Sequence, residues 1–578
     1  DLSILYKDFD DPAFTGDMKA LDEAIAAVNT LAGEAAGMEH SQLVHRFLQV
    51  QERVEELANK LFIFCSLRCS ANTADTKANS LGDQLSAKLS GCAAANASLR
   101  RTVAELEDLD AIMDGDPALE PYRFLLESIR RDSKYLLTDR EEELFARMNI
   151  SGASAWESLR DNLTSSVKVE YNGGVTNLSA IRNLAYDPDP AVRKSAYEAE
   201  LACYDKIKDS VAYALNSIKL QVINECQVRG YASPLDKALY QSRMKRETLE
   251  ALLGAMDEYM PKFWQYLRAK AKALGYENGL PWYELFAPMG KSDKKYTTQD
   301  AKDYLLSIFS GFDSQLHDMV ERAFDEAWID FYPRNGKVGG AFDCGVPSAG
   351  QSRVLTNFDG AFGDIVTLAH ELGHSLHSWY SNHTQPFTYA EYRLFVAEVA
   401  STCNEALLIR YLLKHAKEKE EKIFLLNYFL DQFKGTVFRQ TMFAEFEKRI
   451  HEKMAEEGTL TADGISELYL SINKEYFGPD MISDPQIALE WARIPHFYTP
   501  FYVYQYATGY SAAVALSAKI LKEGKPAVDA YMSFLKGGES KDPIDLLKMA
   551  GVEMTTEKPV ADALALFGEL VTELETLV

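Results

Sequence analysis

The chain contains few of the residues that mark fibrous, disordered or disulfide-stapled proteins. Its 578 residues include 33 Gly and 19 Pro, too few for a collagen-like or low-complexity chain. The seven cysteines are odd in number and scattered, with no Cys-x-x-Cys spacing, which favours a reducing compartment. No uninterrupted apolar run approaches the ~20 residues that a membrane-spanning helix needs. The sequence therefore predicts a soluble, cytoplasmic globular protein.

Basic residues are outnumbered by acidic ones. The chain has 61 Lys and Arg against 86 Asp and Glu, which gives a formal net charge of −25. A surface of this sign repels both the phosphates of nucleic acids and anionic membrane surfaces. We therefore expect neither nucleic acid nor membrane among its partners.

Apolar residues recur at three- and four-residue spacing through most of the chain, which predicts a predominantly α-helical protein. The clearest segments are 17–32, 41–71, 76–107, 246–274, 298–308, 313–329, 405–450 and 510–522. Two short β elements are also expected. Alternating residues around Asn172-Gly173-Gly174 predict a hairpin near 165–178. A second alternating run predicts a strand over 352–358.

The best candidate for a domain boundary is the segment 187–190, Asp-Pro-Asp-Pro. Two prolines cannot occupy the interior of a helix, and the helical pattern resumes at about Ala191. We therefore divide the chain into an N-terminal helical domain, 1–190, which contains the hairpin, and a catalytic domain, 191–578.

The strongest chemical signal is a His-Glu-x-x-His motif within residues 364–379. His370 and His374 lie one helical turn apart, so both imidazoles can reach one metal ion, with Glu371 close by. Another face of this segment is apolar and consists of Ile365, Leu368, Leu372, Leu376 and Trp379. Chance would supply the motif fewer than about 0.03 times in a chain of this composition. The motif predicts a zinc site on an amphipathic helix.

A catalytic zinc needs a third protein ligand and an open position for water. One class of zinc peptidases continues with a Gly and a third His, but His377 and Tyr380 occupy those positions here. The carboxylate candidates are Glu391, Glu398 and Glu405, each seven residues from the next. Spacing alone does not choose among them, and His377 is a weaker rival ligand.

Together, the motif and the segment Phe395-Val-Ala-Glu-Val-Ala-Ser-Thr-Cys-Asn-Glu405 resemble a known family. The resemblance is to the thimet oligopeptidase and oligoendopeptidase F family of zinc peptidases, and most closely to the oligoendopeptidase F branch. It implies Glu398 as the third ligand, with Glu405 orienting a ligand imidazole. It also implies one zinc ion per chain and two helical parts that enclose a deep substrate channel.

The segment 494–509, Ile-Pro-His-Phe-Tyr-Thr-Pro-Phe-Tyr-Val-Tyr-Gln-Tyr-Ala-Thr-Gly, is similar to the His/Tyr segment of that family. By position the resemblance implies that His496, Tyr502 and Tyr506 face the zinc, with Tyr498 and Tyr504 less favoured. The alternative is that this aromatic stretch is simply packed in the core.

The resulting hypothesis is a zinc endopeptidase that cuts internal bonds of short peptides, with Glu371 as general base. The strand at 352–358 is expected to pair with the substrate backbone, or else only to support the metal helix. Two other functions remain open. One is a zinc carboxypeptidase, and the other is a non-catalytic helical protein that binds peptides.

Overall fold

The computed structural model describes residues 1–290, 294–309 and 314–578. Helices dominate these ranges, which confirms the predicted fold class. The helices in chain order are α1 Pro12–Glu34, α2 His40–Ala71, α3 Thr76–Ser90, α4 Ala93–Ala104, α5 Leu109–Gly115, α6 Arg123–Ser133, α7 Asp139–Ser151, α8 Ala153–Ser166, α9 Leu178–Asn183, α10 Pro190–Arg229, α11 Pro234–Gln241, α12 Arg246–Ala273, α13 Thr298–Phe309, α14 Ser314–Asp325, α15 Phe362–Thr384, α16 Leu394–His415, α17 Lys419–Phe433, α18 Arg439–Glu457, α19 Ala462–Phe477, α20 Tyr504–Glu523, α21 Lys525–Leu535, α22 Pro543–Met549 and α23 Lys558–Leu577. The strands are β1 Val169–Tyr171, β2 Gly174–Thr176, β3 Leu280–Pro281, β4 Ile329–Asp330, β5 Phe342–Val346, β6 Gln351–Leu355 and β7 Met481–Ile482.

The chain forms two compact units, each assembled from three segments. Unit 1 consists of Asp1–Leu136, Lys294–Leu408 and Leu516–Gly551. Unit 2 consists of Leu137–Asp293, Ile409–Ala515 and Val552–Val578. The predicted boundary at 187–190 lies within unit 2, where Asp189 caps and Pro190 begins the 40-residue helix α10. Neither compact unit begins or ends at residue 190. The division of the chain into domains 1–190 and 191–578 stays a prediction.

Unit 1 combines the N-terminal helices with a three-stranded sheet of order β4-β6-β5. Strand β6 is central: it pairs antiparallel with β5 along its whole length and parallel with β4. Val346 of β5 belongs to the same buried core as α1, α2 and the helices that follow them. In that core Tyr6, Phe14 and Phe64 make edge-to-face aromatic pairs. The sheet therefore packs against the N-terminal helices, and α15 packs against β5 and β6.

Unit 2 is built on α10, against which α8 and α19 pack, while α12 packs against α23. It contains the predicted hairpin, in which β1 pairs antiparallel with β2. Asn172 and Gly173 both have positive φ, 50° and 74°, as a two-residue turn between twisted strands requires. The hairpin prediction is confirmed.

Three predicted helical segments differ from the structure at their limits. Segment 76–107 is interrupted at Gly91 and Cys92, between α3 and α4. Segment 405–450 is broken at 416–418 and contains a π-helical stretch, Lys434–Phe438, between α17 and α18. Segment 313–329 begins at a residue outside the described ranges, and α14 covers Ser314–Asp325. Within the described ranges, no helix has the length and apolarity needed to cross a membrane.

Candidate active site

The His-Glu-x-x-His motif lies on α15, and α16 packs close against it. Helix α15 begins where the Asp364 carboxylate accepts hydrogen bonds from the N–H groups of Asp359 and Ala361, both 2.9 Å away. Gly373, inside the motif, lets the backbone of α16 approach. A Cβ at Gly373 would collide with Ser401 and lie 2.8 Å from the Ala400 carbonyl oxygen. A glycine at this position therefore permits the close approach of the two helices.

Three potential metal ligands converge between these helices. The Nε2 atoms of His370 and His374 are 3.2 Å apart. The Glu398 Oε2 atom lies 3.4 Å from the first and 3.9 Å from the second. All three side chains are partly exposed, between 16% and 37%, so an ion or a substrate can reach them from solvent. Among the described residues, this set forms a group with the spacing of a metal site.

Neighbouring side chains orient two of these ligands. The Nδ1 atom of His370 lies 2.6 Å from the Glu405 carboxylate, so the proton on Nδ1 is donated outward and Nε2 presents its lone pair inward. Ser401 donates a hydrogen bond to Glu398 Oε2 at 3.2 Å. When both Nε2 atoms are unprotonated, their lone pairs and the Glu398 carboxylate face one another, which is unfavourable unless a cation or a proton lies between them.

The electrostatics of the group favour one positive charge. Burial alone would lower the pKa of His370, but its hydrogen bond to Glu405 and the carboxylates of Glu398 and Glu371 raise it to about 9. Burial and the neighbouring His370 lower the pKa of His374 to about 3. The metal-free protein thus holds one proton in the place that suits a cation. The donor set and the charge therefore both fit a divalent metal ion.

Glu371 lies beside the ligands and against the sheet. Its side chain is buried, and the backbone N–H of Asp343 in β5 faces its carboxylate and favours the charged form. Burial raises the pKa of Glu371 to about 7, although the charge of His370 opposes the shift. A carboxyl group that titrates near neutral pH can both accept and return a proton.

Two other candidate ligands are used elsewhere. Glu391 precedes the first turn of α16 and accepts a hydrogen bond from Asn59 at 3.0 Å. His377 is fully buried, and its ring stacks on Tyr392 with 3.6 Å between the ring centroids. His377 therefore lies in the core, on a different side of α15 from the two ligand imidazoles. The geometry brings Glu398 to the imidazoles and leaves Glu391 and His377 aside.

The residues His496, Tyr502 and Tyr506 belong to unit 2, where their rings cluster. The rings of His496 and Tyr502 are parallel with 6.0 Å between centroids, and Tyr506 stands perpendicular to both. By contrast, the Tyr504 hydroxyl is hydrogen-bonded to Ser242 at 2.7 Å, and the Tyr498 hydroxyl donates to the Val211 carbonyl. These two tyrosines are anchored in the interior of unit 2.

Sequence reasoning missed two residues that support the site. The Asp343 carboxylate accepts a hydrogen bond from the Ser375 hydroxyl at 2.6 Å, which fixes β5 to the metal helix. The Tyr392 hydroxyl donates to the His374 carbonyl oxygen at 3.2 Å. Asp343 could have been noticed as an acidic residue among small and apolar neighbours. Tyr392 lies in an irregular segment that carries no periodic signal.

Comparison with known proteins identifies the family. The model of peptidase family M3 matches residues 183–566, and a model described as oligopeptidase F matches residues 104–168. Oligopeptidase PepF of Bacillus subtilis (strain 168) is 35% identical over 577 residues, which cover 98% of this chain and 85% of that protein. Group B oligopeptidase PepB of Streptococcus agalactiae serotype III (strain NEM316) is 31% identical, covering 94% and 91% of the two chains.

A solved structure agrees with these matches. The crystal structure of oligoendopeptidase-F from Enterococcus faecium aligns with a TM-score of 0.73 and 27% identity, covering 97% of this chain and 98% of that one. The resemblance inferred from the motif segments is thereby confirmed. The chain belongs to peptidase family M3, in its oligoendopeptidase F branch, and is by that membership a metallopeptidase.

Proposed function

We propose that this protein is a zinc endopeptidase that hydrolyses internal peptide bonds of short oligopeptides. The observation that carries the proposal is the convergence of His370, His374 and Glu398, with Glu371 beside them. Three protein ligands leave one position open, as in catalytic rather than structural zinc sites. Two imidazoles and a carboxylate suit zinc in ligand type. One zinc ion per chain, as the resemblance implies, is part of the proposal.

When bound, zinc lowers the pKa of water toward ~7 and polarises a carbonyl oxygen. Glu371 then acts as general base. Its carboxylate takes the proton of the attacking water and later delivers it to the leaving amine. The N–H of Asp343 faces this carboxylate and favours its charged form, and the pKa near 7 suits a group that must gain and lose a proton in each cycle.

The oxyanion that develops on the scissile carbonyl needs hydrogen-bond donors. We assign this role to His496 and Tyr502, with Tyr506 as a further donor. The assignment is supported by the clustering of the three rings and by the internal anchoring of Tyr498 and Tyr504. Removal of one such donor typically costs about 2.7–4 kcal/mol of barrier, so His496→Ala and Tyr502→Phe should retain partial activity.

The strand that pairs with the substrate backbone is proposed to be β5. Strand β6, which overlaps the predicted 352–358 run, is central in its sheet: β5 pairs with its whole length on one side, and β4 pairs with Val354 and Leu355 on the other. Strand β5 is at the edge of the sheet and carries Asp343, whose N–H faces the Glu371 carboxylate. Extended peptides add to such edges through main-chain hydrogen bonds. Gly345 of β5 allows close approach to α15, since a Cβ there would lie 2.8 Å from the Ser378 hydroxyl oxygen.

Further parts of the proposal rest on composition and resemblance. Short peptides are the proposed substrates, and the net charge of −25 disfavours nucleic acid. The seven cysteines are free thiols, which supports the proposed cytoplasmic location. The deep channel implied by the resemblance stays a prediction.

The test is cleavage of a short peptide blocked at both ends, followed by mass spectrometry, with and without a zinc chelator. Internal cuts that the chelator abolishes and added zinc restores are expected. The Glu371→Gln chain is the matched control and should bind zinc normally while losing cleavage by a factor of about 10² or more. Near-normal cleavage by Glu371→Gln would refute the mechanism. If the blocked peptide is not cut and the unblocked one loses residues from its C-terminus, the protein is a carboxypeptidase. If neither peptide is cut, the result favours the non-catalytic binding protein.

A further inference from the structure

Arg160 of α8 contacts the backbone that leads to the proposed oxyanion histidine. It lies in the segment 104–168 that the oligopeptidase F model matches, outside the residues 183–566 of the peptidase model. The side chain is buried. Its Nη2 donates to the Arg493 carbonyl oxygen at 2.6 Å, and its Nη1 donates to the Asp161 carboxylate at 2.9 Å. One matched segment therefore holds the main chain of the other, and both parts belong to unit 2.

The side chain of Arg493 is fixed as well. Its Nη1 donates to Glu200 of α10 at 3.0 Å, and its Nη2 donates to Glu490. Both carboxylates are buried, with 2% and 0% of their side chains exposed. Hydrogen bonds between charged groups are stronger than those between neutral groups. Arg493 is thus held by its carbonyl oxygen and by both ends of its guanidinium group.

The chain is also anchored directly after His496. This residue lies in the short 3₁₀ turn Pro495–Tyr498. The next residue, Phe497, is 1% exposed. Its ring packs against those of Phe443 and Phe446 on α18, with 5.3 and 4.9 Å between the centroids. His496 itself is only half-buried, so its side chain projects from a turn whose neighbours are fixed.

Arg160 contacts this turn on the far side of His496 too. Its guanidinium carbon lies 5.8 Å from the centroid of the Tyr498 ring, a distance at which a cation is attracted to an aromatic face. Burial and the charges of Arg439 and Arg160 also lower the pKa of His496. The imidazole is therefore neutral at neutral pH and keeps one N–H to donate.

We propose that Arg160 is a positioning residue that aims His496 by holding the Arg493 carbonyl group. The proposal rests on the oxyanion role assigned above to His496. Two residues separate Arg493 from His496, and one of them is Pro495, whose ring fixes φ. Few free dihedral angles are therefore available to absorb a displacement of the carbonyl group before it reaches His496. By this inference, the segment matched by the oligopeptidase F model supplies a residue on which catalysis depends.

The kinetic test removes the guanidinium group and keeps a long side chain. Arg160→Met should lower kcat about 10- to 100-fold with little change in KM, as expected when one oxyanion donor is misplaced. Arg160→Lys can still donate to the carbonyl oxygen and should keep kcat within about three-fold of the wild type. Asp161→Asn is the control, because it alters the other partner of Arg160 and should leave kcat unchanged. Wild-type kcat in Arg160→Met would overturn the proposal.

A spectroscopic readout separates positioning from activity. In protein labelled with ¹³C at histidine Cε1, the signal of His496 is identified by its absence in His496→Ala. Arg160→Met should displace or broaden this signal, whereas Arg160→Lys and Asp161→Asn should leave it in place. The signal of His451, which is buried in unit 2, should be unchanged in every variant. An unchanged His496 signal in Arg160→Met, or equal displacement of both signals, would contradict the proposal.

Combination with His496→Ala distinguishes this inference from the proposed function. If Arg160 acts through His496, Arg160→Met should cause no further loss of kcat in a His496→Ala background. A further loss would show a general structural role and overturn the inference. If His496→Ala alone has wild-type kcat, the oxyanion role of His496 fails, and the ¹³C comparison still decides whether Arg160 positions it.

Discussion

At the scale of single residues, the contact between Glu405 and His370 bears on the proposed metal site. Its carboxylate lies 2.6 Å from His370 Nδ1 and thus selects the tautomer that leaves Nε2 free to coordinate. Partners of this kind typically account for 10- to 100-fold of metal affinity. They also raise the basicity of the imidazole, so that protons compete with the metal at neutral pH.

We expect Glu405→Gln to weaken zinc binding about 10- to 100-fold. The loss should be measured at pH 9 by competition with a chelator of known affinity, because protons then compete little for His370. Glu391→Gln is the matched control, since Glu391 bonds to Asn59 and not to a ligand. Equal affinities in the two variants would contradict an orienting role for Glu405.

The pH dependence of zinc binding follows from the pKa of His370. This pKa is raised to about 9 in the metal-free protein, so the imidazole is protonated at pH 8 and zinc must displace the proton. The apparent affinity should therefore rise about tenfold per pH unit below pH 9 and level off above it. Calorimetry at pH 8 in buffers of different ionisation enthalpy should count close to one proton released per zinc. A count near zero would be inconsistent with the raised pKa.

The sequence could predict His370, Glu371 and His374 because helical geometry alone places them together. It could not choose the third ligand by spacing, because Glu391, Glu398 and Glu405 share a seven-residue period. In the structure α16 begins only at Leu394, so Glu391 is not on that helix. Glu398 lies near Nε2 of His370 and Glu405 near its Nδ1. The family resemblance selected Glu398 where periodicity could not.

At the scale of secondary structure elements, the site depends on the close approach of α15 and α16 at Gly373. We expect Gly373→Ala to lower the free energy of unfolding by about 1–3 kcal/mol and to weaken zinc binding, because the added methyl group meets the backbone of Ser401. Denaturant unfolding and zinc content would measure the two effects.

Gly363, on the same helix, provides the control. A Cβ at Gly363 would meet no atom within 4 Å, so Gly363→Ala should be neutral or slightly stabilising and should keep its zinc. If Gly373→Ala behaved like Gly363→Ala, the two helices would not be in the tight contact described above.

The limits of sequence reasoning at this scale have identifiable causes. The break at Gly91 was missed because α3 packs on α2 and α4 on α1, so apolar periodicity continues on both sides of it. The strand before α15 was predicted, but its central place in the sheet depends on β4 and β5, whose alternation is too short to detect. Open and paired strand edges are properties of the assembled sheet rather than of one segment.

At the scale of the whole molecule, each compact unit draws on three separate parts of the chain. The core of the N-terminal helices includes Val346 of β5, which lies far along the sequence. Residues 137–190 pack within unit 2, where α8 lies on α10 and the Arg160 guanidinium donates to the Arg493 carbonyl at 2.6 Å. A division of the chain at residue 190 therefore separates partners in both units.

This architecture predicts that a fragment comprising residues 1–190 does not fold cooperatively. Its first 136 residues lack the sheet that completes their core, and its remaining residues lack the α10 surface against which they pack. Helices that lack these partners can still form, but their apolar surface stays exposed and their tertiary packing is not fixed. Far-ultraviolet circular dichroism should show helix that is lost gradually on heating, with strong binding of a hydrophobic dye, whereas the full chain should unfold in sharp steps. A sharp transition in the fragment would instead support residue 190 as a true domain boundary.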